Sequence, residues 1–206
     1  MEETKTPVFD ASKPFVVSIL SGGEKQCEVH FPTDDQWCGW ARSQRTVRRF
    51  LGRGKSQSEE LDLPKINAEL FAKIRVDKDG PAFDDAEAGI VIGRIERCTV
   101  TSIDREGNNY RVEMKVPGAR ATHVLRMPTA KEMQEHERAS TSVVAARRSI
   151  ETRAFLEPSG ELYDKLHVSH GGYAGPELSK VPIVHKSAAV SEVLAQLAIE
   201  ADDDPE

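Results

Sequence analysis

The chain has 206 residues, of which 38% are hydrophobic and 30% charged, with a formal charge of −6. That length buries the core of one good-sized domain or two small ones, and the acidic balance argues against a dedicated nucleic-acid coat. No apolar stretch reaches membrane-spanning length, no signal-peptide pattern opens the chain, and Cys27, Cys38 and Cys98 lack CxxC spacing, so the expected setting is a reduced cytoplasm without membrane, disulfide framework or zinc knuckle.

Residues 1–13 are polar and expected to be flexible. The β-branched run FVVSIL at 15–20, the turn Ser21-Gly22-Gly23-Glu24 and the alternation of Cys27, Val29 and Phe31 with Gln26, Glu28 and His30 predict a β-hairpin that Pro32 ends. Thr33-Asp34-Asp35 reads as a helix start, because hydroxyl and carboxylate side chains suit the exposed N–H groups and the positive dipole end. This helix is predicted to run to Leu51 and stop at Gly52, with Trp37, Trp40, Val47 and Leu51 on one face and Arg42, Arg45, Arg49 and Arg53 on the other. Two more helices follow, at 65–76 (Ile66, Leu70, Phe71 and Ile74 inward) and 84–97 (Ile90, Val91 and Ile95 inward, with Gly89 and Gly93 permitting a close neighbour).

From Tyr110 to Val116 the alternation is clean: Tyr110, Val112, Met114 and Val116 point one way, Arg111, Glu113 and Lys115 the other. Turn chemistry at 106–109 and at Pro117-Gly118 makes 98–127 a β-meander. Pro128 then opens a charge-rich helix carrying Met133, Val143 and Ile150 and reaching about 156. Pro158-Ser159-Gly160 predicts a break, followed by a short helix at 161–167, a Gly-rich loop at 169–176 and a last helix at 183–200 with Ile183, Val190, Leu194 and Leu197 at near-heptad spacing. The expected fold is α+β: an antiparallel sheet shared by the N-terminal hairpin and the central meander, with an inserted helical block and C-terminal helices. The expected segments are a flexible start at 1–13, an α+β domain at 14–156 with a helical insertion at about 33–97, a C-terminal helical segment at 157–200 and an acidic tail at 201–206.

Residues 51–56, LGRGKS, end like a phosphate loop, but Arg49 stands where a Walker A glycine belongs and a helix is predicted where a strand should precede. A basic turn explains the run better. Arg42, Arg45, Arg49, Arg53 and Lys55 form a patch read as plain solvation or as facing an acidic protein surface and, as the lesser reading, nucleic acid, since no aromatic is interleaved for base stacking. His167, His170 and His185, near Glu161 and Asp164, make a thin metal-ligand pattern for which surface and loop histidines are the plainer reading, and no cofactor is expected. Arginines near Cys38 would lower its pKa, but its place beside the tryptophan face argues for burial. No GxSxG or similar frame gathers the serines, histidines and carboxylates, so no enzyme is expected.

Residues 123–133, HVLRMPTAKEM, resemble a passage of phage tail assembly chaperones in which a strand ends in an apolar-x-x-Pro-Thr segment and enters the first helix of a helical region. The preceding β region, opened by a hairpin, is similar to the same plan, while the Arg-rich block at 33–97 and the Gly-rich loop near 171–175 depart from small family members. The resemblance implies a non-enzymatic phage or prophage tail-morphogenesis protein in the bacterial host cytoplasm, or associated with the virion. Its implied work is to bind the long apolar tape-measure protein while tail tube subunits polymerise around it. Met133, Val143, Ile150, Val190, Leu194 and Leu197 are then the contact residues and Arg147 and Arg148 the rim, with core packing as the competing explanation for each. The alternatives are an oligomeric virion or tail-completion subunit built on the same helices, and a nucleic-acid-binding accessory protein using the arginine stripe.

Overall fold

Alternation and turn chemistry generate the first pair of strands, β1 (Phe15–Leu20) and β2 (Glu24–Val29), which pair antiparallel from Phe15↔Val29 to Leu20↔Glu24 across the positive-φ residues Gly22 and Gly23. The computed structural model describes residues 7–43, 49–51, 55–57, 63–145 and 156–202, with backbone alone at 49–51, 55–57, 141–145 and 202. The elements form an α+β fold. The chain divides into two compact units, one of Ala11–Glu96 with Arg138–Leu156, the other of Met1–Asp10, Arg97–Glu137 and Glu157–Glu206. They are called here the hairpin unit and the meander unit.

In the hairpin unit, Val17, Ile19, Cys27 and Val29 turn inward while Val16 and Leu20 stay exposed. Helix α1 (Asp34–Ser43) starts with a capping box: Thr33 N–H donates to Gln36 Oε1 (2.9 Å) and Gln36 N–H to Thr33 Oγ1 (3.3 Å). It buries Trp37, Cys38, Trp40 and Ala41. The helix does not reach Leu51 as predicted. Arg49–Leu51 is instead strand β3, paired with Lys55–Gln57, β4, from Arg49↔Gln57 to Leu51↔Lys55. Phe50 suits a strand at least as well as a helix.

Helix α2 (Leu63–Ile74) buries Leu70, Phe71 and Ile74, and its exit extends the hairpin: His30 N–H donates to Ile74 O and Val76 N–H to Glu28 O, both at 2.9 Å. Helix α3 (Asp85–Glu96) opens on a second capping box, Asp84 N–H to Glu87 Oε2 (3.0 Å) and Glu87 N–H to Asp84 Oδ1 (2.8 Å). The same Glu87 is buried and takes Lys25 Nζ at 2.6 Å, and the Lys25 ammonium holds its carboxyl below the usual range. Val91, Ile92 and Ile95 are the inward residues of α3; Ile90, predicted inward, is exposed. Gly89 lets α2 come close, since a Cβ there would lie 3.2 Å from Asn67 Nδ2, but Gly93 has open space. Asn67 Oδ1 in turn accepts from Trp40 Nε1 at 2.9 Å. Burial and the nearby Asp77 carboxylate push the Cys27 thiol up to about 11, and its Sγ lies 3.7 Å from Val17 O.

The meander unit is a four-stranded antiparallel sheet in the order β5 (Thr99–Glu106), β6 (Asn109–Val116), β7 (Ala119–Arg126), β8 (His167–Gly171). Tyr110, Val112, Met114 and Val116 are buried as their alternation predicts. The hairpin β1–β2 does not join this sheet but forms its own. Helix α4 (Ala130–Ala145) starts at a third capping box, Thr129 with Glu132, locked from β7 by Arg126 at 2.9 and 2.5 Å. The guanidinium and the Thr129 N–H hold the Glu132 carboxyl down to about 2. Pro128 therefore precedes the helix instead of opening it.

Pro158 does not break the chain. It lies in the first turn of α5 (Leu156–Leu166), where a missing N–H costs nothing. His167, predicted to end the short helix, and Ser169–Gly171, predicted as loop, lie in β8, and α6 (Ile183–Asp202) closes the unit over β5 and β6. Glu200 fixes its far end, accepting from Tyr110 Oη (2.8 Å) and Arg105 Nη1 (2.7 Å). Gly160 lets α5 approach α6, since a Cβ there would meet Ile183 Cγ1 at 3.0 Å.

Among the described glycines, Gly172, at φ 86, makes the closest backbone approach: a Cβ there would lie 2.1 Å from Arg120 O. Gly172→Ala is expected to destabilise the protein by about 2 kcal/mol or more, the left-handed cost plus a backbone collision. Gly118→Ala, at φ 71 with open space, is expected to cost only about 1 kcal/mol. Urea unfolding of the two variants measures the difference.

Candidate functional site

The inward row of β7 runs Ala121, His123, Leu125, so the pleat that buries two apolar residues also buries an imidazole. Burying it would cost on the order of 1–3 kcal/mol if its nitrogens went without partners. Both are engaged: Nδ1 lies 2.7 Å from Tyr163 Oη of α5, and Nε2 lies 3.1 Å from Tyr173 Oη of the segment after β8. Tyr173 Oη is also 3.1 Å from His185 Nδ1 in the first turn of α6. His123 and His185 are wholly buried, as is Tyr163, and Tyr173 nearly so.

A phenol has one proton to give, so Tyr173 donates to one imidazole and accepts from the other, and the hydrogen bonds run in a single direction along Tyr163, His123, Tyr173 and His185. Neutral His123 then uses one nitrogen as donor and the other as acceptor, while His185 joins the chain through Nδ1. Burial pushes His123 and His185 down to about 3 and raises both phenols far above their ordinary range. Around the chain of bonds, Phe9 meets Tyr173 edge-on at 6.0 Å and His185 at 5.1 Å between ring centres. Backbone bonds tie Phe9 to the same segment: its N–H donates to Gly172 O (2.7 Å), and Ala174 N–H donates to its carbonyl (2.9 Å). Phe9, within the stretch expected to be flexible, is thus core.

His167 and His170, both on β8, face each other, Nε2 to Nδ1 at 2.8 Å, and His170 Nε2 lies 3.2 Å from Gly175 O. Their nitrogens do not converge with His185 on one point, and among the described residues no group of three or more His, Cys, Asp or Glu could hold a metal ion. On the outer side, Lys186 Nζ bonds Asp164 Oδ1 at 2.8 Å and lies 5.7 Å from the Tyr163 ring centre. His123, Tyr163 and Tyr173 escape a sequence reading; the one available signal is a histidine in the inward register of a strand.

The residues expected to bind a partner separate by burial. Val190 is fully buried and belongs to the core with Val193, a correction that follows from the α6 face packed on the sheet. Leu194 and Leu197 are half-buried, while Ala195, Ala198 and Ile199 stand exposed, Ile199 at 55%. Met133 is 40% exposed on α4, and no side chain of α4 from 130 to 140 is buried. Val143 lies in α4 where backbone alone is described, and Arg147, Arg148 and Ile150 lie outside the described residues. Of the arginine stripe, Arg42 is exposed on α1, with Nε donating to Cys38 O at 3.1 Å. Arg49 and Lys55 are on the strands β3 and β4, so the stripe is not one helical face, and Arg45 and Arg53 lie outside the described residues. Cys38 is buried, as its place beside the tryptophans predicts.

Comparison with protein-family models, with curated proteins and with solved structures finds no match. Among the described residues no helix is long and apolar enough to cross a membrane.

Tyr173→Phe removes the hydroxyl that serves two buried imidazoles and is expected to cost about 2–3 kcal/mol, against about 1 kcal/mol for Tyr163→Phe at the end of the chain of bonds. Chemical denaturation gives both values, and their order is the diagnostic result.

Proposed function

We propose that this protein works by binding another polypeptide along an exposed helical face of the meander unit, as a phage tail assembly chaperone holds a tape-measure protein. The observation that carries the reading is the second half of α6. Its inward residues Val190 and Val193 are packed and Glu200 pins it to β5 and β6, while Leu194, Ala195, Leu197, Ala198 and Ile199 keep open or half-open apolar surface. A helix held rigid on one side and apolar on the other suits a partner helix laid against it. The short residues Ala195 and Ala198 let such a helix approach closely.

The resemblance of residues 123–133 to the strand-to-helix passage of tail assembly chaperones supports the same reading, and the passage holds its shape through the Arg126–Glu132–Thr129 lock. The histidine–tyrosine chain of bonds is sealed in the core and presents no group to a dissolved substrate, which also favours a binding role. The contact set is then Leu194, Leu197 and Ile199, with Met133 of α4 as a separate candidate.

Co-expression with a tape-measure fragment tests the proposal. The intact chain is expected to keep the fragment in the supernatant. Leu197→Asp with Ile199→Asp is expected to weaken the complex at least about tenfold, on the order of the apolar area lost. A fragment that aggregates equally with and without the chain defeats the proposal. A stable dimer lost in the same double variant would assign the face to a second copy of the chain.

A further inference from the structure

The same chain of bonds that seals the core is also its weak point toward protons. We propose that the meander unit is an acid-responsive element: proton uptake at the imidazoles flanking Tyr173 parts β8 and the Phe9 segment from α5 and α6, while the hairpin unit stays closed. The inference is independent of the partner-binding reading.

Neutral, the chain Tyr163–His123–Tyr173–His185 has a donor and an acceptor at every junction. A second proton on His123 turns its acceptor nitrogen into a donor, so both phenol oxygens must accept from it. A second proton on His185 then presents Tyr173 Oη with two N–H groups, and its own proton has nowhere to go along the chain.

Charge acts in the same direction. The groups that face His123 are the Tyr163 phenol from α5, the Tyr173 phenol from the segment after β8, and the imidazoles of His167 and His170 from β8. β6 presents Val112 beside it. Around His185 stand His123, Tyr173 and the uncharged Phe9 ring. Cys98, before β5, sits with Sγ 3.9 Å from Val184 O and bears on Tyr173. Among the described residues, Asp164 of α5 and Lys186 of α6 act on His167 with opposite sign, and they bond each other. Protons added to the cluster therefore bring positive charge toward further imidazoles.

The pH window follows from the signs. His123 and His185 are both held down to about 3, below their ordinary value of 6.5, so the opened state binds more protons than the closed one between those limits. Stability is fully present above pH 6.5 and falls as pH drops toward 3. Burial lowers His167 and His136 as well, in the same sense. The lowered carboxyls, Glu87 in the hairpin unit and Glu106, Glu132 and Glu200 in the meander unit, lose their contribution only below their ordinary 4.5. Among the described groups with a lowered value, those that act between 6.5 and 4.5 are the histidines.

Hydrogen–deuterium exchange on the full chain, corrected for intrinsic rates, tests this between about pH 7 and about pH 5. Amides of β7, β8, α5 and the first half of α6 are expected to lose protection with a slope approaching at least about 100-fold per pH unit, two protons from His123 and His185 with His167 adding to them, while β1, β2, α2 and α3 hold theirs. His123→Gln is expected to reduce that slope by about tenfold per pH unit. Equal loss in both units, or unchanged protection across the range, overturns the proposal. The wild-type profile decides even if the variant does not fold.

Discussion

One phenol oxygen holds the meander unit in register. Tyr173 Oη joins an imidazole on β7 to another on α6, and Tyr163 extends the link to α5, so three elements far apart in the chain must meet at hydrogen-bond distance or leave polar atoms stranded in the core. An all-apolar filling would not demand so specific a meeting, since hydrocarbon contacts tolerate sliding and rotation. The polar chain fixes which face of α6 is turned inward, and so which face remains open. Gly172 and the Phe9 backbone bonds then hold the segment that carries Tyr173.

The hairpin unit is organised by shorter-range means. Capping boxes start α1 and α3, each worth about 1 kcal/mol, and each satisfies helix N–H groups with residues three apart in sequence. Glu87 serves twice, closing its own helix start and taking Lys25 from the hairpin. Arg75 extends this local style beyond α2. It bonds Asp77 at 3.1 Å and Pro81 O at 2.9 Å and lies over the Phe71 and Phe83 rings, which organises the return to α3.

What could be read from the residues follows the range of the forces. The strand at 110–116, the glycine turns and the central helices rest on neighbours within a few residues, and their positions emerge from pattern alone. Strand β8 does not: His167, Ser169, His170 and Gly171 favour no strand by themselves, and pairing with β7 through a bulge makes them one. Arg49 and Phe50 carry a helical pattern as well as a strand one, and the pairing of β3 with β4 decides. The histidines at 167, 170 and 185 attract attention as possible metal ligands, yet their partners are one another, a carbonyl and a phenol brought from elsewhere in the chain. Val190 shares its helical spacing with Leu194 and Leu197, and only the docking of α6 shows that it belongs to the interior.

Cys27 sits in the hairpin with its thiol pushed up to about 11. At neutral pH such a thiol stays protonated, and the side chain is shielded as well, so electrophiles and oxidants meet an inert sulfur while the hairpin stays shut. Its alkylation rate is therefore a chemical clock for excursions of that half of the molecule, written into the native chain without any engineered label.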